Sequence, residues 1–350
     1  MKEKELLFDA LLQGPIKKNR VFCFTDSDLD GTGCATLFHY FFEDVIQNPN
    51  YKVFQVAINI VAEKYKSRSH QEFTSFLDQL VEGDVVIFSD LIPDSAEHLN
   101  QICAKKALPI IFDHHPTSYE SLGNFDTYMY DTSRSSCKLV WDFFSRSFGI
   151  LSIPMNNVAQ KFSTLVNTYD LWKDTDELWT DARNLNSILW RDMGQSGYSD
   201  NGYTIFINRN LKKIRNQDEY SWLPTEELFI EKNAQQEEEE YQALKKKRAF
   251  GVRTDTVGQS YIYCEGPRKL SYFCNRLLKE YGVDYVVAKN TFTAPGEPKR
   301  NMYSLRCREE FNVKDIAEKY KGGGHVRAAG LELLDDQLVN DLRKGTHHLV

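Results

Sequence analysis

No apolar run in the 350-residue chain approaches the roughly 20 residues that span a bilayer. The opening residues, Met1-Lys2-Glu3-Lys4-Glu5-Leu6-Leu7-Phe8, lack a signal-peptide core. A membrane-spanning or secreted protein is therefore not expected. Cysteine is scarce and scattered: seven residues, with no Cys-x-x-Cys pair. That argues against a zinc ribbon or a disulfide scaffold and fits a reducing cytoplasm. Basic residues are not in excess, since 43 Lys and Arg against 50 Asp and Glu leave a net charge of −7. A protein that wraps long duplex DNA is usually basic, so the balance leans toward short or small substrates held in a local basic pocket with metal ions. Internal repeats and low-complexity linkers are lacking too. What is present is an ordinary soluble composition, 41% hydrophobic and 27% charged. It is long enough for two domains with separate cores.

The most informative stretch is Phe24-Thr25-Asp26-Ser27-Asp28-Leu29-Asp30-Gly31-Thr32-Gly33. An apolar run from Val21 to Phe24 precedes it and reads as a buried strand. Cys34 to Phe42 reads as a helix. Three carboxylates at alternate positions thus stand where a strand gives way to a helix. In an open α/β sheet that is the mouth of the ligand crevice. Carboxylates packed this closely repel unless a cation neutralises them, and aspartate oxygens suit hard ions such as Mg²⁺ or Mn²⁺. Gly31 and Gly33 are expected to let the backbone turn sharply and a substrate come close. An ordinary Asp- and Gly-rich capping turn is the alternative, and this stretch alone does not decide.

Along the chain, a helix is expected near residues 3–13, followed by strands at 20–25 and 53–58. A helical stretch at 69–81 precedes an apolar strand, Asp84 to Asp90. A helix at 94–107 leads to Pro109-Ile110-Ile111-Phe112 and then Asp113-His114-His115-Pro116. This alternation implies a mainly parallel sheet with right-handed crossovers. Three of its strands end in Asp or His, and parallel strands gather their C-terminal ends on one edge. A short strand at 128–130 precedes a polar turn and a helix at about 136–147. Residues 155–215 read as helical, and 225–249 as a charged, solvated connecting helix. Strands at 260–264, 283–289 and 302–306 and helices at 268–281 and 312–320 complete the pattern. Lys321-Gly322-Gly323-Gly324-His325-Val326-Arg327 then follows.

Adjacent imidazoles beside an acid, as in Asp113-His114-His115, suit transition-metal ligation, with the acid orienting a ring. Asp90 alone would be a helix cap and Asp170 a solvated helix residue; their weight comes from the company they keep. The triple glycine is expected to be neither regular helix nor strand. Its exposed N–H groups suit an anion, with His325 and Arg327 as further donors and Arg306 as a second phosphate clamp. A flexible loop and a surface arginine are the bland alternatives.

In this order the pieces resemble the DHH phosphoesterase superfamily in its two-domain DHH–DHHA1 form, over nearly the whole chain. The first motif is similar to Thr25-Asp26-Ser27-Asp28-Leu29-Asp30-Gly31, the second to Ser89-Asp90 and the third to Asp113-His114-His115. The fourth is similar to Tyr169-Asp170-Leu171-Trp172. The DHHA1 signature is similar to Ser304-Leu305-Arg306 and to Gly322 through Gly330. The forms Thr-Asp-x-Asp-Leu-Asp-Gly and Tyr-Asp-x-Trp look closest to nanoRNase B-like oligoribonucleases, a RecJ-like subgroup.

The resemblance implies an α/β protein. An N-terminal parallel-sheet DHH domain (1–215) is joined by a helical linker (216–250) to a smaller α/β DHHA1 substrate-binding domain (251–350). It implies two Mn²⁺ or Mg²⁺ ions, with Asp26 and Asp90 on one and Asp28, Asp90, His114 and Asp170 on the other. Asp113, His114 and His115 would form the catalytic motif, His115 contacting the scissile phosphate or protonating the leaving group. Arg306, Gly322, Gly323, Gly324, His325 and Arg327 would hold the substrate across a cleft from the metals. Many relatives carry a metal-binding His at the position of Phe22, so one ligand is missing unless Asp30, Asp113 or water replaces it.

The implied activity is two-metal hydrolysis of short single-stranded RNA, down to dinucleotides, from the 3′ end to nucleoside 5′-monophosphates. Alternatives are 3′-phosphoadenosine 5′-phosphate, linear or cyclic dinucleotides, a RecJ-like single-strand exonuclease, or a non-catalytic nucleic-acid-binding relative. The lack of a sensor region lowers the cyclic dinucleotides, and the intact acidic and histidine motifs oppose a decayed site. A cytoplasmic location, no membrane partner and, since such relatives are often dimers, a homodimer complete the expectations.

Overall fold

Five strands with apolar residues on both faces build the first sheet. The computed structural model describes residues 2–55, 75–93, 96–122, 126–196, 200–247, 250–255, 258–266, 270–292 and 299–344. It divides the chain into two compact units, Met1–Ile230 and Glu231–Val350. In the first, β1 (Val21–Thr25) and β3 (Val85–Ser89) are buried at every residue. Strands buried on both faces belong to a parallel sheet covered by helices on both sides. The order is β2-β1-β3-β4-β5, every pair parallel, with β2 at Tyr51–Gln55, β4 at Leu108–Asp113 and β5 at Tyr128–Tyr130.

One face packs Val21, Cys23, Ile87 and Phe112 beneath helices Leu29–Tyr40, Ser136–Phe144 and Asn157–Asp170. The opposite face packs Phe22, Phe24, Phe88 and Ile111 with Phe76, Leu99 and Leu122. Phe22, the position at which the resemblance implies a metal-binding His in many relatives, is a core residue with its ring edge-on to Phe76. The expected strand at 53–58 and helix at 69–81 fall partly on 56–74, outside the described residues.

Gly31 and Gly33 lie inside the helix Leu29–Tyr40, so they do not make the expected sharp turn. Their role is close packing: a Cβ on Gly31 would stand 2.2 Å from the Asp26 carbonyl oxygen, and one on Gly33 2.9 Å from Cys137 Sγ.

The charged helix runs from Pro224 to Lys246. It is less solvated than its composition implies, since Glu226, Asn233 and Glu237 are buried. Glu226 meets the equally buried Lys213 ammonium at 2.6 Å. Further along, Glu238 pairs with Arg276 and Lys245 with Glu280, both on the helix Leu270–Tyr281.

The second unit holds a six-stranded sheet ordered β10-β11-β9-β8-β7-β6. Its strands are β6 (Val252–Thr254), β7 (Ser260–Glu265), β8 (Tyr285–Phe292), β9 (Arg300–Cys307), β10 (Gly323–His325) and β11 (Ala328–Leu333). Only β7 and β8 pair in parallel among these strands. The glycine segment, expected to be irregular, is instead an edge strand: Gly323 to His325 pair with Gly330 to Ala328 across a tight turn at Val326-Arg327. Glycine is required there because the two backbones nearly touch. A Cβ on Gly322 would lie 2.3 Å from the Gly330 carbonyl oxygen, and Gly324 has φ +131°.

Candidate metal centre and active site

Strand register aligns the acidic residues. Thr25 on β1 pairs with Ser89 on β3, and Ser89 pairs with Phe112 on β4. The residue after each is an aspartate: Asp26, Asp90 and Asp113. Three carboxylates therefore stand level on adjacent strands at the C-terminal edge. The sheet order reverses there, β1 leading to β2 on one side and then to β3 on the other, which is the ligand crevice of such sheets.

The first turn supplies three different placements. Asp28 is the N-cap of the helix Leu29–Tyr40, its Oδ1 accepting the N–H groups of Asp30 and Gly31 at 2.9 and 3.0 Å. Asp26 accepts the Ser27 N–H. Asp30, expected only as a stand-in for the missing ligand, is wholly buried. It accepts the N–H groups of Ser136 at 2.7 Å and Cys137 at 2.9 Å, and so ties the start of the helix Ser136–Phe144 to the acidic turn. Its sequence signal was the polar turn before that helix, where Ser135 is the N-cap and donates its own N–H to Asn167.

Asp90, Asp113, His114, His115 and Asp170 complete the arrangement. Asp90 is held in left-handed backbone at φ +62°, a strained conformation typical of functional sites. His114 is buried, with Nε2 3.4 Å from Asp170 Oδ2, 3.6 Å from Asp90 Oδ1 and 3.9 Å from Asp30 Oδ2. Asp170 is the last residue of the helix Asn157–Asp170. It is followed at Trp172 by left-handed backbone (φ +51°), with the Trp172 ring packed against Tyr169 and Trp179. Asp113 faces the second histidine: its Oδ1 accepts His115 Nδ1 at 2.8 Å and the His114 N–H at 2.8 Å.

The electrostatics separate these groups. Burial, then the charges of Asp30, Asp28, Asp170 and Asp26, pushes the Asp90 carboxyl well up. Burial, then Asp30, Asp28 and Asp113, does the same to Asp170. Burial and then Asp28 push Asp30 up to about 6, although the N–H groups of Cys137 and Ser136 oppose this. At Asp113 burial is outweighed by the His115 hydrogen bond and charge, so its carboxyl stays below the usual range. Reciprocally, the His115 imidazolium is held against its desolvation.

A cluster of anions repelling one another in a buried site is the electrostatic signature of a cation-binding site. Two groups have suitable geometry, Asp90–His114–His115 and Asp30–His114–Asp170, each with ligand atoms within 4.8 Å of one another. Asp170 Oδ2, Thr25 Oγ1 and Ser89 Oγ are buried with no hydrogen-bond partner among the described residues. Mixed carboxylate and imidazole donors suit Mn²⁺ or Mg²⁺, so the residues fit the group. Asp26 and Asp28 lie outside both three-residue groups, though their charges act on Asp90.

The expected substrate residues belong to the second unit. Arg306 is buried, with Nη1 donating to Ser304 Oγ at 3.1 Å and the Leu305 carbonyl at 2.8 Å. Arg327 is exposed and paired with Glu309 at 2.9 Å. His325 ends β10, its backbone in register with Ala328.

No family model matches the sequence. The chain is 22% identical to the oligoribonuclease NrnB of Bacillus subtilis (strain 168) over 322 residues, 89% of this chain and 73% of that protein. Its fold is similar to the solved DHH domain of a member of a ribosomal protein family. That likeness has a TM-score of 0.62 at 10% identity and covers 100% of this chain and 90% of the other. It is similar also to RecJ from Thermus thermophilus in complex with Mn²⁺, with a TM-score of 0.59 at 12% identity, covering 97% of this chain and 53% of that one. Five motifs in order, an aspartate-lined sheet edge and these likenesses agree with the resemblance to the DHH/DHHA1 phosphoesterase superfamily, and the curated likeness is to a nanoRNase-type oligoribonuclease.

Proposed function

We propose that the protein hydrolyses short oligoribonucleotides from the 3′ end, releasing nucleoside 5′-monophosphates, with two divalent ions at the sheet edge. The observation that carries this is the convergence of Asp30, Asp90 and Asp170 around His114 Nε2. The 22% likeness to an oligoribonuclease supports the substrate class. Asp26, Asp28, Asp90, His114 and Asp170 would hold the ions, with Asp30 fixing the acidic turn against the helix Ser136–Phe144. Divalent cations held there would neutralise the carboxylates, stabilise charge on a phosphoryl group and lower the pKa of a bound water.

The chain's own residues do the rest. Asp113 accepts Nδ1–H of His115, and this hydrogen bond and its charge favour the protonated ring. His115 then has a proton at Nε2 to donate to a phosphoryl oxygen or to the leaving 3′ oxygen. Water adds to phosphorus, the bond from phosphorus to the 3′ oxygen breaks, and that oxygen takes up a proton. Arg306 and the β10 hairpin with Gly322, Gly323, Gly324, His325 and Arg327 would serve substrate binding in the second unit.

The test is a time course on 5′-labelled RNA dinucleotide, pentamer and 24-mer with Mn²⁺ or with EDTA, beside 3′-phosphoadenosine 5′-phosphate. Fast, EDTA-sensitive conversion of the shortest RNA to mononucleotides is expected. Preference for the 24-mer moves the protein to the RecJ-like exonucleases. Phosphate release from the bisphosphate alone replaces the oligoribonuclease reading, and tight RNA binding without turnover replaces catalysis with binding.

A further inference from the structure

Beside Asp113, at the edge of the candidate metal centre, the sheet carries an aromatic pair that the proposed chemistry does not use. Tyr119 stacks on Tyr130 with ring centroids 4.5 Å apart and planes 18° from parallel. Both are tied to the Asp113-His114-His115 motif by backbone geometry. Tyr130 ends β5 and is the register partner of Asp113, so its backbone is about 4.8 Å from that aspartate's. Tyr119 lies in the first turn of the helix Pro116–Leu122, which starts directly after His115, and its N–H donates to the His115 carbonyl at 3.4 Å. Tyr128, two residues before Tyr130 and on the same sheet face, is 3% exposed and fills the core as a packing tyrosine does. Tyr119 does not: it stays 39% exposed.

We propose that Tyr119, backed by Tyr130, is a stacking platform for the nucleobase of the nucleotide whose phosphate reacts beside Asp113 and His115. This rests on the phosphodiesterase reading of the same centre and names its base-binding subsite. A rigid exposed ring accepts every base, because every base has a π-face, and recognises no sequence. That is the selectivity an enzyme clearing mixed short RNA requires. It also adds affinity without a basic surface, consistent with a net charge of −7.

The experiment is calorimetric binding of AMP and of ribose 5-phosphate, in Mn²⁺, to the wild type, Tyr119→Ala and Tyr119→Phe. The wild type is expected to bind AMP more tightly than ribose 5-phosphate by about tenfold or more. Tyr119→Ala should lose that preference while keeping its affinity for ribose 5-phosphate, and Tyr119→Phe should retain it. Equal affinity of the wild type for the two ligands, an unchanged preference in Tyr119→Ala, or an equal loss for both ligands each overturns the platform. Hydrolysis of an RNA dinucleotide by the wild type, run in parallel, reports on the phosphodiesterase reading separately.

Discussion

Removing metal should invert the usual pH dependence of stability. Asp30 is fully buried and its carboxyl is pushed up to about 6 from 3.8, while Asp90 and Asp170 are pushed up by burial and by neighbouring carboxylates. An acid whose folded pKa exceeds its unfolded value holds its proton more tightly when folded. Its stabilisation is complete below the unfolded value near 3.8 and is lost as pH rises through about 6. A shift of about two units at roughly 1.4 kcal/mol each makes Asp30 alone on the order of 3 kcal/mol less favourable at pH 7.5. A domain of 150–250 residues loses roughly 2–4 °C in Tm per kcal/mol. About half of that loss has already occurred by pH 5, because the unfolded carboxyl ionises near 3.8. The remaining roughly 1.4 kcal/mol should make the EDTA-treated protein melt about 3–6 °C lower at pH 7.5 than at pH 5, with Asp90 and Asp170 adding in the same direction.

Saturating Mn²⁺ should raise Tm at pH 7.5 by binding the folded state. Asp30→Asn, which cannot ionise, should reduce the slope of the metal-free profile. Differential scanning fluorimetry across pH with EDTA or Mn²⁺ reads all three. A metal-free Tm that stays level or rises between pH 5 and 7.5, or no response to Mn²⁺, would refute the reasoning.

Other outcomes follow from single contacts. Asp28→Ala should abolish RNA hydrolysis and, by removing an N-cap, cost about 1 kcal/mol; Asp28→Asn should also abolish it but keep the cap and the stability. Near wild-type turnover in either variant would remove Asp28 from the metal site. Gly322→Ala places a Cβ 2.3 Å from the Gly330 carbonyl oxygen, so the β10–β11 hairpin should shift, with lost amide protection at Gly323 to His325 by hydrogen exchange. Unchanged protection there would show that the hairpin accommodates the methyl. Glu226→Ala leaves the buried Lys213 ammonium without its carboxylate and should destabilise the first unit by about 3–5 kcal/mol, measured by urea unfolding. A loss under about 1 kcal/mol would mean that Tyr220 and Trp222, each 4.7 Å from the ammonium, suffice.

Much of the site was legible in the one-dimensional pattern because of how parallel sheets work. Apolar runs that end in acid became buried strands whose last residues meet on one edge, so Asp26, Asp90 and Asp113 came into line by register alone. Motif order singled out His114 and Asp170, whose side chains the structure brings to 3.4 Å although Asp170 comes from a helix far along the chain, since fixed motifs carry information that periodicity does not. The alternation of strand and helix also located the second sheet, but not its largely antiparallel pairing.

Other features depended on contacts between distant segments. Asp30 looked equivalent to its neighbours Asp26 and Asp28. Only packing of the helix Ser136–Phe144 against the first turn made it the buried acceptor of two backbone N–H groups. The glycines of Gly322 to Gly324 read as a loop because local propensity disfavours a strand there. Pairing with Ala328 to Gly330 overrode it, and close backbone approach explains why glycine is used. The charged helix read as solvated, yet Lys213 lies buried beneath it and draws Glu226 inside. Tyr119 and Tyr130 had no signature at all, being ordinary aromatics in a helix and a strand. Residue order alone established which side chains carry charge, suit a metal and end strands. Folding chose which of them face each other, because burial and register are properties of segments brought together from far apart.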